Sequence, residues 1–183
     1  MNPSYIRYLL SHYQSIWKTE GRVCLFDKGP AHQLPVHFVV AEFPPTADRG
    51  MWKYATCGMS DETNPALIEL HLFSATQSEQ HVELLTAVTH YHHTEKHLGL
   101  WDTINFGRPW LPGSNCDHGL ISLPYLDGPA LEKPEGSAVR CLWLIPITKA
   151  EVDYKKTHGV EELETRLEEA RFDYLAATRP SVA

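Results

Sequence analysis

Near the start of the chain, Tyr5, Ile6, Leu9, Leu10, Tyr13 and Ile16 recur at helical spacing and Pro3 suits a first turn, so residues 2–19 are predicted as an amphipathic helix. Gly21 ends it, and residues 23–26 form a short apolar piece closed by the turn signal Lys28-Gly29-Pro30. Strand-like runs follow at 36–41, 52–57 and 67–73, the first two separated by Pro44-Pro45 and Asp48-Arg49-Gly50. In the third run Ile68, Leu70 and Leu72 alternate with Glu69 and His71, the pattern of a strand with one buried and one more polar face.

Ser78 is placed to N-cap a helix over 78–97 whose core stripe is Leu84, Leu85, Val88 and Tyr91. A long aromatic and glycine-rich connection runs over 98–115, and strands are predicted at 119–125 and 138–147 on either side of a Pro- and Gly-containing loop, 127–136. Val139, Cys141, Trp143 and Ile145 fall on one face of the second of these strands. A helical region starts near Thr148, breaks at His158-Gly159, and resumes with Val160, Leu163, Leu167, Ala170 and Tyr174; residues 178–183 are expected to fray. With no internal repeat or low-complexity linker, this order predicts an α+β fold: one domain over residues 1–183, a mixed β-sheet flanked by helices.

Composition changes that picture little. A hydrophobic fraction of 43% over 183 residues supports a core without disulfides or metal. The longest apolar stretch, 141–147, is interrupted by Pro146 and is far short of the roughly 20 residues that span a bilayer. The N-terminus lacks a basic segment followed by an apolar core, so the expected location is cytoplasmic, without membrane contact. Cys24, Cys57, Cys116 and Cys141 are scattered without a C-x-x-C pair and read as reduced thiols.

The formal charge of -7, from 23 acidic against 16 basic residues, disfavours nucleic acid and favours a basic protein partner. Much of the acidity lies at 161–169, where it also reads simply as a solvated helix face.

Three clusters carry candidate chemistry. His90, His93 and His97 share a helical face with Glu79 and Glu83, and His93 and His97 stand at the i, i+4 spacing of metal ligands; His92 lies off this face. The alternative reading built on them is a metal-dependent hydrolase. The H-E-x-x-H pattern is missing, however, and a solvated polar face explains the same spacing. Asn115-Cys116-Asp117-His118 joins a thiol, an acid and an imidazole, although catalytic cysteines ordinarily meet their histidine across a fold, and a turn accounts for the segment. In the connection after the helix, Trp101, Phe106 and Trp110 are interleaved with Asp102, Asn105 and Arg108. These residue types enrich binding hot spots; the competing reading is that the tryptophans anchor a long loop to the core.

Four stretches in this order resemble bacterial members of the Suppressor of fused-like family: WKYATCGMS at 52–60, ALIELHLF at 66–73, GLWDTINFG at 99–107, and LWLIPITKAEVDYKKTHGVEEL within 139–167. The resemblance extends over about 34–172 and implies a mixed α/β sandwich resembling the N-terminal domain of the family's animal founder. That protein clamps a transcription-factor peptide between this domain and a second, for which the present chain is too short. Bacterial single-domain relatives are placed among immunity proteins that neutralise toxins by binding them. The resemblance thus implies a non-enzymatic, cofactor-free protein-binding domain, its partner a basic toxin domain or an extended peptide. Asp102 looks like the nearest match to an aspartate that takes part in peptide binding, so Trp101, Asp102, Asn105, Arg108 and Trp110 are the expected binding residues.

Overall fold

The computed structural model describes residues 3–26, 28–29, 31–60 and 67–183. Its spine is a seven-stranded mixed sheet in the order β1-β2-β3-β4-β7-β6-β5. In chain order these strands are β1 (Arg22–Cys24), β2 (Val39–Phe43), β3 (Trp52–Cys57), β4 (Ile68–Ser74), β5 (Thr103–Asn105), β6 (Cys116–Ser122) and β7 (Arg140–Thr148). The run β1 to β4 is an antiparallel meander, β7, β6 and β5 pair antiparallel, and β4 lies parallel to β7 where the two halves meet.

Helices cover both faces. On one side α1 (Pro3–Trp17), the short α3 (Pro129–Glu132), α4 (Lys149–His158) and α5 (Val160–Glu169) pack over Phe43, Phe73, Trp143, Ile145 and Ile147. On the other, α2 (Glu79–Thr94) lays Val82, Leu84, Leu85 and Val88 against Val40, Tyr54, Leu70, Leu72, Leu142 and Leu144. The alternation of β7 divides as expected: Val139, Cys141, Trp143 and Ile145 join the first core, Leu142 and Leu144 the second.

Four expectations are corrected. Strand β4 has no polar outer face: every residue in it is buried, Glu69 and His71 included, because α1 and the C-terminal helices cover the side opposite α2. The long connection contains β5, whose three residues are too few to leave a periodic signature. Helix α2 stops at Thr94, and Tyr91 sits at the surface while His81 and His92 are buried. Last, residues 178–183 are tied down rather than frayed.

Glu69 illustrates how a buried charge is accommodated. Its carboxylate accepts from Thr56 Oγ1 at 2.6 Å and from the backbone N–H groups of Gly58, Met59 and Ser60 at 3.1, 3.1 and 3.3 Å. The three consecutive donors require a sharp turn, which Gly58 supplies at φ 93; a Cβ there would also stand 2.7 Å from Ile6 Cδ1. Burial pushes the carboxyl up and the four donors pull it back, leaving it near 7.

The C-terminal lock is an ion pair. Thr148 and Glu151 form a reciprocal capping box at the start of α4. Glu151 then receives both arms of Arg179, each at 2.7 Å, and the backbone N–H of Val182 at 3.0 Å. Arg179 also donates to the Pro146 carbonyl at 3.0 Å. Burial works against the Glu151 charge, but Arg179 and the Thr148 and Val182 N–H groups outweigh it, and the carboxyl titrates below its ordinary range.

Breaking a buried pair strands the remaining charge, so Arg179→Ala is expected to cost about 3 kcal/mol in urea denaturation; an unchanged midpoint would show that the lock contributes nothing. Gly159, at φ 94 between α4 and α5 with no atom crowding its Cβ position, should lose about 1 kcal/mol on substitution by Val purely through backbone strain, measurable in the same way.

The folded chain holds the Glu69 proton more tightly than the unfolded chain, whose carboxyl titrates near 4.5. Its contribution is therefore complete below that value and lost as pH rises through about 7. His71 and His81, pushed down by burial to about 3 and about 4, act in the opposite sense as pH falls below 6.5. Measured against Glu69→Gln, which lacks the carboxyl but keeps both histidines, the native chain should lose about 3 kcal/mol of relative stability between acid and mildly alkaline pH. Parallel stability profiles would show that Glu69 does not titrate in this range.

Candidate functional site

The connection leaving α2 reaches the sheet edge at β5 through a turn organised by Asp102. One carboxylate oxygen accepts from Lys96 Nζ at 2.7 Å and the other from the Gly99 N–H at 2.9 Å. Trp101 and Asp102 extend the β5–β6 ladder: the Trp101 N–H donates to the Ile121 carbonyl at 2.8 Å, and the Ile121 N–H donates to the Asp102 carbonyl at 2.9 Å. The Trp101 carbonyl is held from the other side by Lys155 Nζ of α4. Trp101 adopts φ 73, a conformation that a bulky L-residue rarely takes, with its side chain half-buried.

The five residues expected to bind a partner therefore divide by role. Trp101 and Asp102 stand together, partly exposed, at the approach to the sheet edge. Asn105 is exposed and closes the following turn by accepting from the Gly107 N–H at 2.7 Å. Arg108 pairs with Glu83 of α2 at 2.7 Å, fastening the connection to the helix. Trp110 is 3% exposed and packs beside the buried His81 ring, centroids 5.5 Å apart, so its ring anchors the connection and offers no outward surface.

His81, not singled out by its sequence context, lies at the centre of this support. It contacts the Tyr54 ring at 4.8 Å and shares a 2.9 Å hydrogen bond with Ser74 Oγ. A histidine at i, i+4, i+7 and i+11 spacing with Leu85, Val88 and His92 is a core position that a hydrophobic stripe does not reveal.

The structure does not keep His90, His93 and His97 on one helical face. Helix α2 ends before His97, which removes the i, i+4 geometry with His93. His90 Nε2 lies 2.6 Å from Gln33 Oε1 and His93 Nε2 lies 2.7 Å from the Met59 carbonyl, while His93 and His97 each pack against the buried His92 ring, with centroids 5.3 and 5.7 Å away. Among the described residues, no group of three or more His, Cys, Asp or Glu side chains is placed to hold a metal ion. The Cys116 segment is built into strand β6. A bulge separates Cys116 from His118 on β6, burial pushes the thiol up, and His118 Nδ1 pairs with Asp117 at 2.6 Å.

A second surface lies on the side of the sheet covered by α4 and α5, where α5 meets the turn after β6. A groove of about 510 Å³ is lined by Trp143, Leu167, Phe172 and Tyr174, with Glu161, Glu164 and Glu168 among its polar lining residues. Of the acidic residues of α5, Glu164 is partly buried, and Glu161, Glu162, Glu168 and Glu169 are exposed, as a solvated helix face requires. Their spacing was legible in the sequence, but the apolar wall that they border is assembled from β7 and the segment after α5.

Comparison with known proteins agrees with the fold. The family described as Suppressor of fused protein (SUFU) matches residues 33–180. No curated protein matches the chain. Among solved structures, a Suppressor of fused homologue from Neisseria gonorrhoeae FA 1090 is 33% identical with a TM-score of 0.89, the match covering 100% of this chain and 98% of that one. The structure described as the Sufu-Fu complex aligns at 15% identity and TM-score 0.69 over 97% of this chain and 92% of that one. Drosophila Suppressor of Fused aligns at 16% identity and TM-score 0.67 over 100% of this chain and 54% of that one, so the present chain spans about half its length. These last two show the shared fold. With more than half of its length matched by the family and a solved homologue aligned from end to end, the chain belongs to the Suppressor of fused family.

Proposed function

We propose that this domain works by binding another protein, without catalysis, and that Trp101 and Asp102 form the centre of the contact. The observation that carries the reading is Trp101: a bulky, partly buried side chain held at φ 73 beside an edge strand, its carbonyl fixed by Lys155. Strained, over-determined backbone of this kind concentrates at ligand-binding positions, and a rigid tryptophan supplies apolar area at low entropic cost. The outer edge of β5 offers unpaired backbone groups to an extended segment, and the Asp102 carboxylate offers charge to a basic one. A solved relative described as a Sufu-Fu complex supports the same class of activity.

Toxin neutralisation in the cytoplasm is the specific form of binding that the acidic charge favours. A net charge of -7 draws a basic partner into encounter and helps to orient it.

The decisive experiment captures the partner from the native host, identifies it, and measures its affinity for purified variants. Asp102→Asn retains an acceptor for the Gly99 N–H while removing the charge and is expected to weaken binding about tenfold at unchanged thermal stability. Trp101→Ala should weaken it at least as much. Asp102→Ala should in addition cost about 1 kcal/mol of stability through the lost turn hydrogen bond. Native affinity in both Asp102→Asn and Trp101→Ala would exclude this edge as the contact.

A further inference from the structure

The groove beside α5 has three features of a preformed receptor. Its floor is aromatic: Trp143 meets Tyr174 edge to face at 5.3 Å, and Phe172 lies 6.0 Å from Tyr174. One bank carries Tyr125 and Leu126, large apolar side chains left 57% and 37% exposed. The other bank carries Glu161, Glu164 and Glu168, against which Arg171 is the cation among the lining residues.

Both banks are fixed before anything binds. Glu164 accepts from Ser122 Oγ at 2.5 Å and Tyr125 Oη at 3.0 Å, tying helix to turn. Arg49, from the β2–β3 connection, donates to the Leu126 carbonyl at 3.0 Å and pairs with the buried Asp127 carboxylate. A cleft whose walls are already braced pays little ordering cost on binding.

We propose that this groove docks a basic, extended segment of a partner protein, an aliphatic or aromatic side chain entering between Tyr125 and Phe172 while lysines or arginines face Glu161 and Glu168. The charge arrangement selects this occupant: an acidic segment would meet carboxylates, and a second copy of this chain would bring the same negative surface to the contact. Trp101 is not among the residues lining the groove, and the proposal does not depend on the reading given to that edge.

The test uses the full chain, labelled with ¹⁵N, and two short synthetic peptides. One has a Leu-Trp centre flanked by Lys and Arg; the other has the same centre flanked by Glu. The basic peptide should perturb amides of residues 122–126 and 161–174, bind more weakly as salt rises, and lose about fivefold or more in affinity to Glu161→Lys/Glu168→Lys. Both positions are exposed and the paired Glu164 is left intact, so this variant should retain the native melting temperature. Trp101→Ala should bind the basic peptide like the native chain. Equal binding of the two peptides, affinity indifferent to the charge reversal, perturbations confined to residues 101–108, self-association through the groove, or no binding would each overturn the proposal. Perturbation at 101–108 alone would leave the Trp101 reading standing.

Discussion

Glu69 is the point on which the architecture turns. It lies in the central strand of the sheet, wholly buried, and its two oxygens collect one hydroxyl and three consecutive backbone N–H groups. The Thr56 hydroxyl that donates to Glu69 in turn accepts the Leu70 N–H at 2.8 Å, so the end of β3, the turn after it and β4 are bound as one unit. Removing the carboxylate would leave several buried donors unpaired together, and this shared dependence gives a polar cage its influence over a fold.

The same economy recurs at the other end of the molecule. Glu151 caps α4 while anchoring Arg179, and Arg179 reaches the Pro146 carbonyl of β7. Lys155, one turn further along α4, supports the Trp101 carbonyl. One short helix therefore links the C-terminal lock, the central sheet and the backbone of Trp101 at the sheet edge, so that edge geometry and C-terminal packing share one mechanical element.

Hydrophobic period exposed those parts of the fold that are locally encoded. The bounds of β3 coincide with the apolar run 52–57, Thr148 caps the helix that it precedes, and Gly159 stands where the chain must turn between two helices. Features whose physical cause lies elsewhere in the chain were hidden. Alternation in β4 correctly separated Ile68, Leu70 and Leu72 from Glu69 and His71 but could not reveal that a second layer of helices covers the polar side. Residues 178–183 look loose until Arg179 is matched with a carboxylate 28 positions earlier. In the candidate site, residue type put Trp101 and Trp110 on an equal footing, whereas tertiary packing alone distinguishes the partly buried Trp101 from the fully enclosed Trp110.

The parallel seam between β4 and β7 bears on how the chain acquires its shape. Strands β1 to β4 pair with near neighbours in sequence, as do β5 to β7, but the register partners Leu70 and Leu142 are separated by α2, the Trp101 connection and two strands. Closing so long an intervening stretch costs chain entropy before the contact returns any energy. Late closure of this junction is the kinetic order that the topology favours. Until the junction closes, the apolar edges of β4 and β7 are open to pairing with other chains, making that interval the one in which the molecule is most exposed to aggregation.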